Sequence, residues 1–222
     1  MIIPAIIGKD FNEVEVKALS VTGLVPWVHL DIMDGLFTPT ESWPYLDIKE
    51  GPSDLQYIDF IRTDNLKAEV HLMVGHPEKN LSKWIEVGAD RILIHYESAN
   101  EGVLNGILDE LESSEVEAGM VLKFETPIEG LDKFIDKLDV VQLMSIAHIG
   151  SYGQPFEEEI YDKIKSLRAD YPGVIINVDG GVSLENAPKL IAAGADNLVV
   201  GSAIFGSENI PAAIKRFKEM VV

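Results

Sequence analysis

Cysteine is absent from this chain of 222 residues. Disulfides, thiolate nucleophiles, iron–sulfur clusters and cysteine-based zinc sites are thereby excluded. Positive charge is scarce: 18 Lys and Arg stand against 37 Asp and Glu, a formal net charge of −19. A chain this acidic, with a pI near 4.5, is not drawn to nucleic acid or to an anionic membrane by its average field. An anionic substrate has to be held locally, against that field. Long apolar runs are missing too, and none approaches the roughly 18 residues that a membrane helix needs. The opening MIIPAIIG carries no basic stretch and meets Pro4 early, so it reads as a strand rather than a signal peptide. The expectation is a cytoplasmic protein with no membrane or nucleic-acid partner.

What is present is ordinary for a folded domain: 46% hydrophobic and 25% charged residues, which excludes disorder and collagen-like repeats. Short β-rich runs alternate with longer amphipathic segments. The strand candidates are Ile2–Ile7, Trp27–Met33, Lys67–Val74, Arg91–His95, Glu117–Leu122, Val140–Ile146, Val174–Val178 and Asn197–Val200. Most are dense in Val, Ile and Leu, as strands covered on both faces are. Helices are predicted near 11–22, 53–62, 78–87, 101–113, 128–137, 157–171, 184–193 and 210–221. Gly88-Ala89-Asp90 and Gly194-Ala195-Asp196 each end a helix and lead into a strand. Eight strand–helix pairs in a little over 200 residues predict a single (β/α)8 barrel domain spanning 1–222. An open doubly wound sheet is the runner-up, but no G-x-G-x-x-G follows the first strand. The longest irregular segment, Leu36–Pro52, follows the second strand and is expected to lie over the mouth of the barrel. Its Trp43 and Tyr45 either serve an interface or close over substrate.

Strand periodicity sorts the side chains. In Trp27–Met33, His29, Asp31 and Met33 share one face, toward the barrel axis, while Val28, Leu30 and Ile32 turn toward the helices. His71 and Met73 share a face in the third strand, and Asp179 closes the seventh. All lie near strand C-terminal ends, where barrel enzymes keep their active sites. Two imidazoles and two carboxylates converging from three strands suit one divalent metal: Zn, Fe(II), Mn or Co. The alternative is hydrogen-bonded core histidines and helix-capping aspartates. A second signal is Val178-Asp179-Gly180-Gly181-Val182 and Val200-Gly201-Ser202-Ala203-Ile204. The loops after strands seven and eight are the recurrent phosphate site of this fold. Their glycines let backbone N–H groups approach a ligand with no lysine or arginine in either segment. Met33, Met73 and Met144 suggest a soft apolar lid over a metal-bound substrate, against a reading as core filler. His95 ends the fourth strand and faces either the mouth or the core. His76 is a solvated turn residue, and His148, in the loop Ala147–Pro155, is within reach of substrate.

These strings resemble ribulose-phosphate 3-epimerase over nearly the whole chain. The matching pieces are His29-Leu30-Asp31-Ile32-Met33-Asp34-Gly35 with Phe37 and Pro39, then Val70-His71-Leu72-Met73, Leu143-Met144-Ser145, Val178-Asp179-Gly180-Gly181-Val182 and Gly201-Ser202-Ala203-Ile204-Phe205. The resemblance implies that His29, Asp31, His71 and Asp179 bind the metal and that Asp31 and Asp179 are the two acid/base residues. It implies a methionine cap of Met33, Met73 and Met144. Gly180, Gly181, Gly201 and Ser202 match the family's phosphate contacts, with Gly150, Gly153 and Gln154 keeping those of the preceding loop and His71 counted toward substrate. A sugar-phosphate substrate, a place in pentose phosphate metabolism and a homo-oligomer follow from the same likeness. The sequence also departs from the pattern. Ala5 stands where a serine is usual, Gly8 at a second small polar position, Leu36 for a histidine, Thr40 for an asparagine and Lys123 for an asparagine. The loop Ala147–Gln154 is one residue longer than usual. A 3-epimerase of another ketose phosphate, of the allulose 6-phosphate type, and a non-catalytic sugar-phosphate-binding barrel are therefore alternatives. A Schiff-base aldolase would need a strand-end lysine, for which Lys123 is the sole candidate.

Overall fold

The computed structural model describes residues 1–46, 66–151 and 153–220. The helix expected at 53–62 and the end of the Leu36–Pro52 segment lie outside these residues. Eight parallel strands close into a barrel in sequence order: β1 (Ile2–Ile6), β2 (Trp27–Met33), β3 (Lys67–Met73), β4 (Arg91–His95), β5 (Glu117–Leu122), β6 (Val140–Met144), β7 (Ile175–Asp179) and β8 (Asn197–Val200). The α-helices are α1 (Phe11–Val21), α2 (Leu81–Glu86), α3 (Glu101–Ser114), α4 (Ile160–Asp170), α5 (Ala187–Ala193), α6 (Ser202–Phe205) and α7 (Ile210–Met220). No helix among the described residues is long and apolar enough to cross a membrane.

Two expectations are corrected. The segment 128–137 is not an α-helix but two short 3-10 helices, Ile128–Lys133 and Ile135–Lys137. Its buried residues, Ile128, Leu131 and Phe134, recur every three positions, the period of the tighter helix. Gly130 lies against the ring of Tyr96, where a Cβ would stand 2.9 Å from Cζ. Trp43 and Tyr45 are neither lid nor interface. Both are buried; Trp43 packs against Phe11 and Trp84, and the Tyr45 hydroxyl accepts from Asn80 Nδ2.

The alternation of side chains divides the molecule into two layers. Val28, Leu30, Ile32, Val70, Leu72 and their counterparts on the other strands point outward into one continuous apolar shell beneath the helices. Each such side chain contributes about 1.5–3 kcal/mol on burial. Asp90, Asp139 and Asp196 seal the strand starts: each Oδ2 accepts from the backbone N–H of the second residue of a neighbouring strand, Ala68, Ala118 and Ile176 respectively, at 2.8–2.9 Å. This explains the aspartate that ends both Gly-Ala-Asp strings.

The inner layer is polar to a degree unusual for this fold, whose interiors are mostly branched aliphatics. Strand register places His29 beside Glu69, Glu69 beside Arg91 and Arg91 beside Glu117. Arg91 Nη1 donates to Glu69 Oε2 at 2.6 Å and Arg91 Nε to Glu117 Oε2 at 2.8 Å, and the guanidinium lies 4.3 Å from the centre of the Trp27 ring. The row above runs Asp31, His71, Leu93 and Gly119. Leu93 fills the space left at Gly119, where a Cβ would come within 2.1 Å of Leu93 Cδ2. Glu69 is fully buried, so removing its cation leaves an uncompensated charge in the barrel. Arg91→Leu is expected to cost about 3 kcal/mol of stability, read as a lowered midpoint in denaturant. An unchanged midpoint would show that Arg91 is not the counterion on which Glu69 depends.

Candidate active site

Strands β2, β3 and β7 deliver four side chains to one point. His29, Asp31, His71 and Asp179 each offer one nitrogen or oxygen, and these four atoms lie within 4.8 Å of one another. His29 Nε2 stands 3.1 Å from His71 Nδ1 and 3.2 Å from Asp31 Oδ1. His71 Nδ1 is 2.9 Å from Asp31 Oδ1. Asp179 Oδ2 closes the cluster, 3.7 Å from His71 Nδ1 and 3.9 Å from His29 Nε2. Nitrogen and oxygen ligands about 2.0–2.2 Å from a tetrahedral metal are roughly 3.3–3.6 Å apart. The spacing therefore fits one divalent ion.

The chemistry of the donors fits it as well. His29 Nδ1 lies 2.7 Å from Glu69 Oε1. An ionised carboxylate only accepts, so that ring nitrogen carries the proton and Nε2 turns a lone pair inward. Lone pairs and carboxylates that face one another in a buried site repel unless a cation or protons lie between them. In the metal-free protein the protons are held there. Burial pushes against charge on His29, but Asp31 and Glu69 outweigh it and raise its pKa well above the usual imidazole value. Burial, reinforced by the charge of Asp31, pushes Asp179 up to about 7. Burial opposes ionisation of Asp31 too, yet His29 and His71 hold its pKa below the usual carboxylate range. Burial drives His71 down to about 4.

Above the cluster lies a cavity of about 310 Å³, lined by Asp31 and Asp179 but not by the two histidines. The carboxylates face the space and the imidazoles sit behind them, fully buried. Met73 and Met144 line the cavity. Met33 does not; its sulfur lies 3.2 Å from Thr40 Oγ1. Gly150, Gly153, Gln154, Gly180, Gly181, Gly201 and Ser202 all line the wall. His148 is exposed and outside the lining.

Two glycines are required by the backbone. Gly180 has φ +107°, and a Cβ there would meet Ile146 Cγ1 at 2.7 Å. Gly150 has φ +94° and lies against Thr38 and Thr40. Both positions combine a left-handed conformation with a close approach that only glycine permits. Ser145 fixes the two successive peptides after Asp179 and Gly180, its hydroxyl donating to Gly180 O at 2.5 Å and its N–H to Asp179 O at 2.7 Å.

Sequence reasoning passed over several supporting residues. Gln142 Nε2 donates to Asp179 Oδ2 at 3.1 Å, and its buried Oε1 has no hydrogen-bond partner among the described residues. Ser42 Oγ donates to Asp31 O at 2.9 Å and accepts from Met33 N at 3.0 Å. Asn177 Nδ2 donates to Glu69 at 3.3 Å. The period-two signal that found the ligands also covers three of these: Glu69 is two residues before His71, Gln142 two before Met144 and Asn177 two before Asp179.

Comparison with known proteins agrees with this geometry. A sequence model of the ribulose-phosphate 3 epimerase family matches residues 1–205. The chloroplastic ribulose-5-phosphate-3-epimerase of Arabidopsis thaliana is 36% identical over 222 residues, covering 97% of this chain and 75% of that protein. The ribulose-phosphate 3-epimerase of Bacillus subtilis (strain 168) is 34% identical over 222 residues, covering 97% of this chain and 96% of the other. Among solved structures, a 3-hexulose-6-phosphate synthase matches with a TM-score of 0.75 at 17% identity, over 100% of this chain and 99% of that one. Orotidine 5'-phosphate decarboxylase from Pyrococcus horikoshii OT3 matches with a TM-score of 0.67 at 20% identity, with the same coverage. At these identities the structural likeness concerns the fold. The sequence matches reach further: this chain belongs to the ribulose-phosphate 3-epimerase family.

Proposed function

We propose that this chain interconverts D-ribulose 5-phosphate and D-xylulose 5-phosphate by epimerisation at C3. The observation that carries the reading is the pair of carboxylates, Asp31 and Asp179, that reach one cavity from β2 and β7. These strands are three places apart around the ring, so the two groups approach a bound sugar from different sides. Epimerisation next to a ketone needs a proton taken from one face of C3 and another delivered to the opposite face. One aspartate acts as base and the other as acid, and the roles exchange in the reverse direction. His29, Asp31, His71 and Asp179 would hold one divalent ion, of which Zn, Fe(II), Mn and Co all suit the donor set. When bound, the ion supplies positive charge against the enediolate oxygens. Met73 and Met144 exclude water from the reacting carbon, which strengthens each of these interactions.

The substrate phosphate is placed at the loops carrying Gly180, Gly181, Gly201 and Ser202, with Gly150, Gly153 and Gln154 across from them. No lysine or arginine lines the cavity among the described residues. Neutral backbone donors thus do the binding that the net charge of −19 opposes at long range. A second reading, a 3-epimerase of an allulose 6-phosphate type, rests on the departures from the family pattern at Ala5, Leu36 and the altered loop after β6. A panel of ketose phosphates separates the two.

Four outcomes are expected. In D2O, the metal-replete enzyme converts ribulose 5-phosphate to xylulose 5-phosphate carrying deuterium at C3, seen by NMR. Asp179→Asn lowers that turnover by roughly 10³-fold or more while the circular dichroism stays native; near-wild-type turnover would overturn the two-base assignment. Chelation abolishes exchange, and adding back Zn, Fe(II), Mn or Co restores it. Finally, metal must displace protons from His29 and Asp179. Both are raised in the metal-free protein, so binding weakens as pH falls through about 7. Metal titrations at pH 6 and pH 8 check the sign, and equal affinities would contradict it.

A further inference from the structure

We infer that Ser145 and Asn186 are positioning residues that turn the peptides after Gly180 and Gly181, so that the N–H groups of Gly181 and Val182 form a paired donor site for a phosphate. The purpose of this pairing rests on the phosphate placement proposed above; the pairing itself stands on the hydrogen bonds that hold the carbonyls.

The turn after β7 runs Asp179-Gly180-Gly181-Val182-Ser183. Ser145 is fully buried just past the end of β6, and its N–H donates to Asp179 O at 2.7 Å. Its hydroxyl lies 2.5 Å from Gly180 O and 3.0 Å from Asp179 O. One hydroxyl has one proton to give. Asp179 O is already served by the N–H, so the shorter contact, to Gly180 O, takes it. Gly181 O accepts from Asn186 Nδ2 at 3.0 Å. The peptides that follow Gly180 and Gly181 are trans, the cis bond among the described residues being Trp43–Pro44. Across a planar trans peptide the N–H points opposite to the C=O. The Gly181 N–H therefore points away from Ser145, and the Val182 N–H away from Asn186. Neither N–H has an acceptor among the described residues, and both residues border the cavity. Bare main-chain donors are costly away from water, and successive ones in a turn make an anion-binding concavity.

Asn186 does more than end the turn. Its Oδ1 accepts from Ser183 N at 2.8 Å, while Ser183 Oγ accepts from Asn186 N at 3.3 Å. That reciprocal pair is a capping box, which asks the second residue for an acceptor alone. The amide nitrogen is surplus to the box, and it goes to Gly181 O. Asn186 also stands directly before α5, yet its side chain makes no cap bond to that helix; both ends of the amide are spent on the turn. Ser145 has the same double character. Its N–H bonds across to the end of β7, as a strand neighbour would, and its hydroxyl is the addition that turns the next peptide.

The test is read at the two amides. When inorganic phosphate is added to 15N-labelled protein, the amide protons of Gly181 and Val182 are expected to move downfield in proton–nitrogen correlation spectra, as N–H groups that gain an anionic acceptor do. Ser145→Ala should abolish the shift at Gly181 and spare that at Val182; Asn186→Ala should do the reverse. Each should weaken phosphate binding roughly 3- to 10-fold, and Ser145→Thr, which keeps the hydroxyl, should recover most of the loss. Side chains that merely held the turn together would affect both amides alike. Phosphate that binds without shifting these two amides would overturn the inference, and so would folded Ser145→Ala and Asn186→Ala variants with wild-type shifts and affinity. Should either alanine variant fail to fold, the wild-type shifts and the other variant decide. A wild-type protein that binds no phosphate overturns it as well. Failure to epimerise ribulose 5-phosphate would sink the proposed reaction alone, because the phosphate-induced shifts judge the donor pair with no sugar present.

Discussion

Four electron-rich atoms brought together out of water are the constraint on which this barrel is built. They repel one another, and burial removes the solvent that would screen them. Each is therefore backed from behind. Glu69 holds His29 and is itself held by Arg91 and Asn177. His95 holds His71, and Gln142 holds Asp179. Ser42 takes the backbone oxygen of Asp31. The polar interior that results would be a poor source of stability. That is supplied by the outward face of the same strands, where valines, leucines and isoleucines meet the helices. Two layers one residue apart in sequence divide stability from chemistry.

This division explains what could be read from the residues and what could not. The eight strands and the four clustered ligands follow from β-branched runs and a period of two, signals that tertiary contacts reinforce. The pattern of Ile128, Leu131 and Phe134 was harder, since spacing by three is compatible with either helix type over so short a span. Gly130 approaches Tyr96 closely, a contact that spans more than thirty positions and that local sequence does not reveal. Trp43 and Tyr45 looked like surface aromatics because their loop is rich in proline; their burial depends on Phe11, Trp84 and Asn80, which local sequence does not connect to them. Glu69, Arg91 and Gln142 were visible in principle. Charged residues in strands are ordinarily assigned to solvent, and it takes the closed barrel to show that solvent is not there.

The departures from the family pattern fall mostly on one side of this architecture. Ala5 lines the cavity, as do Gly150, Ser151, Gly153 and Gln154; Leu36 is exposed and Thr40 bonds Gly150, all of them outside the buried cluster. Side chains at the strand ends can change without disturbing the repulsive centre, because the centre is held from below and behind. On the proposed reading, substrate preference would be written in the loops and proton chemistry in the strand register.

One of the altered positions joins two of these loops. Thr40 Oγ1 donates to Gly150 O at 2.6 Å, tying the segment after β2 to the segment after β6, which approach the mouth from opposite walls of the barrel. Movement at the entrance is thereby correlated. A displacement of either segment must carry the other with it or break this bond, so the opening has the character of a clasp rather than of two independent flaps. The same hydroxyl lies 3.2 Å from the sulfur of Met33, the last residue of the strand bearing His29 and Asp31.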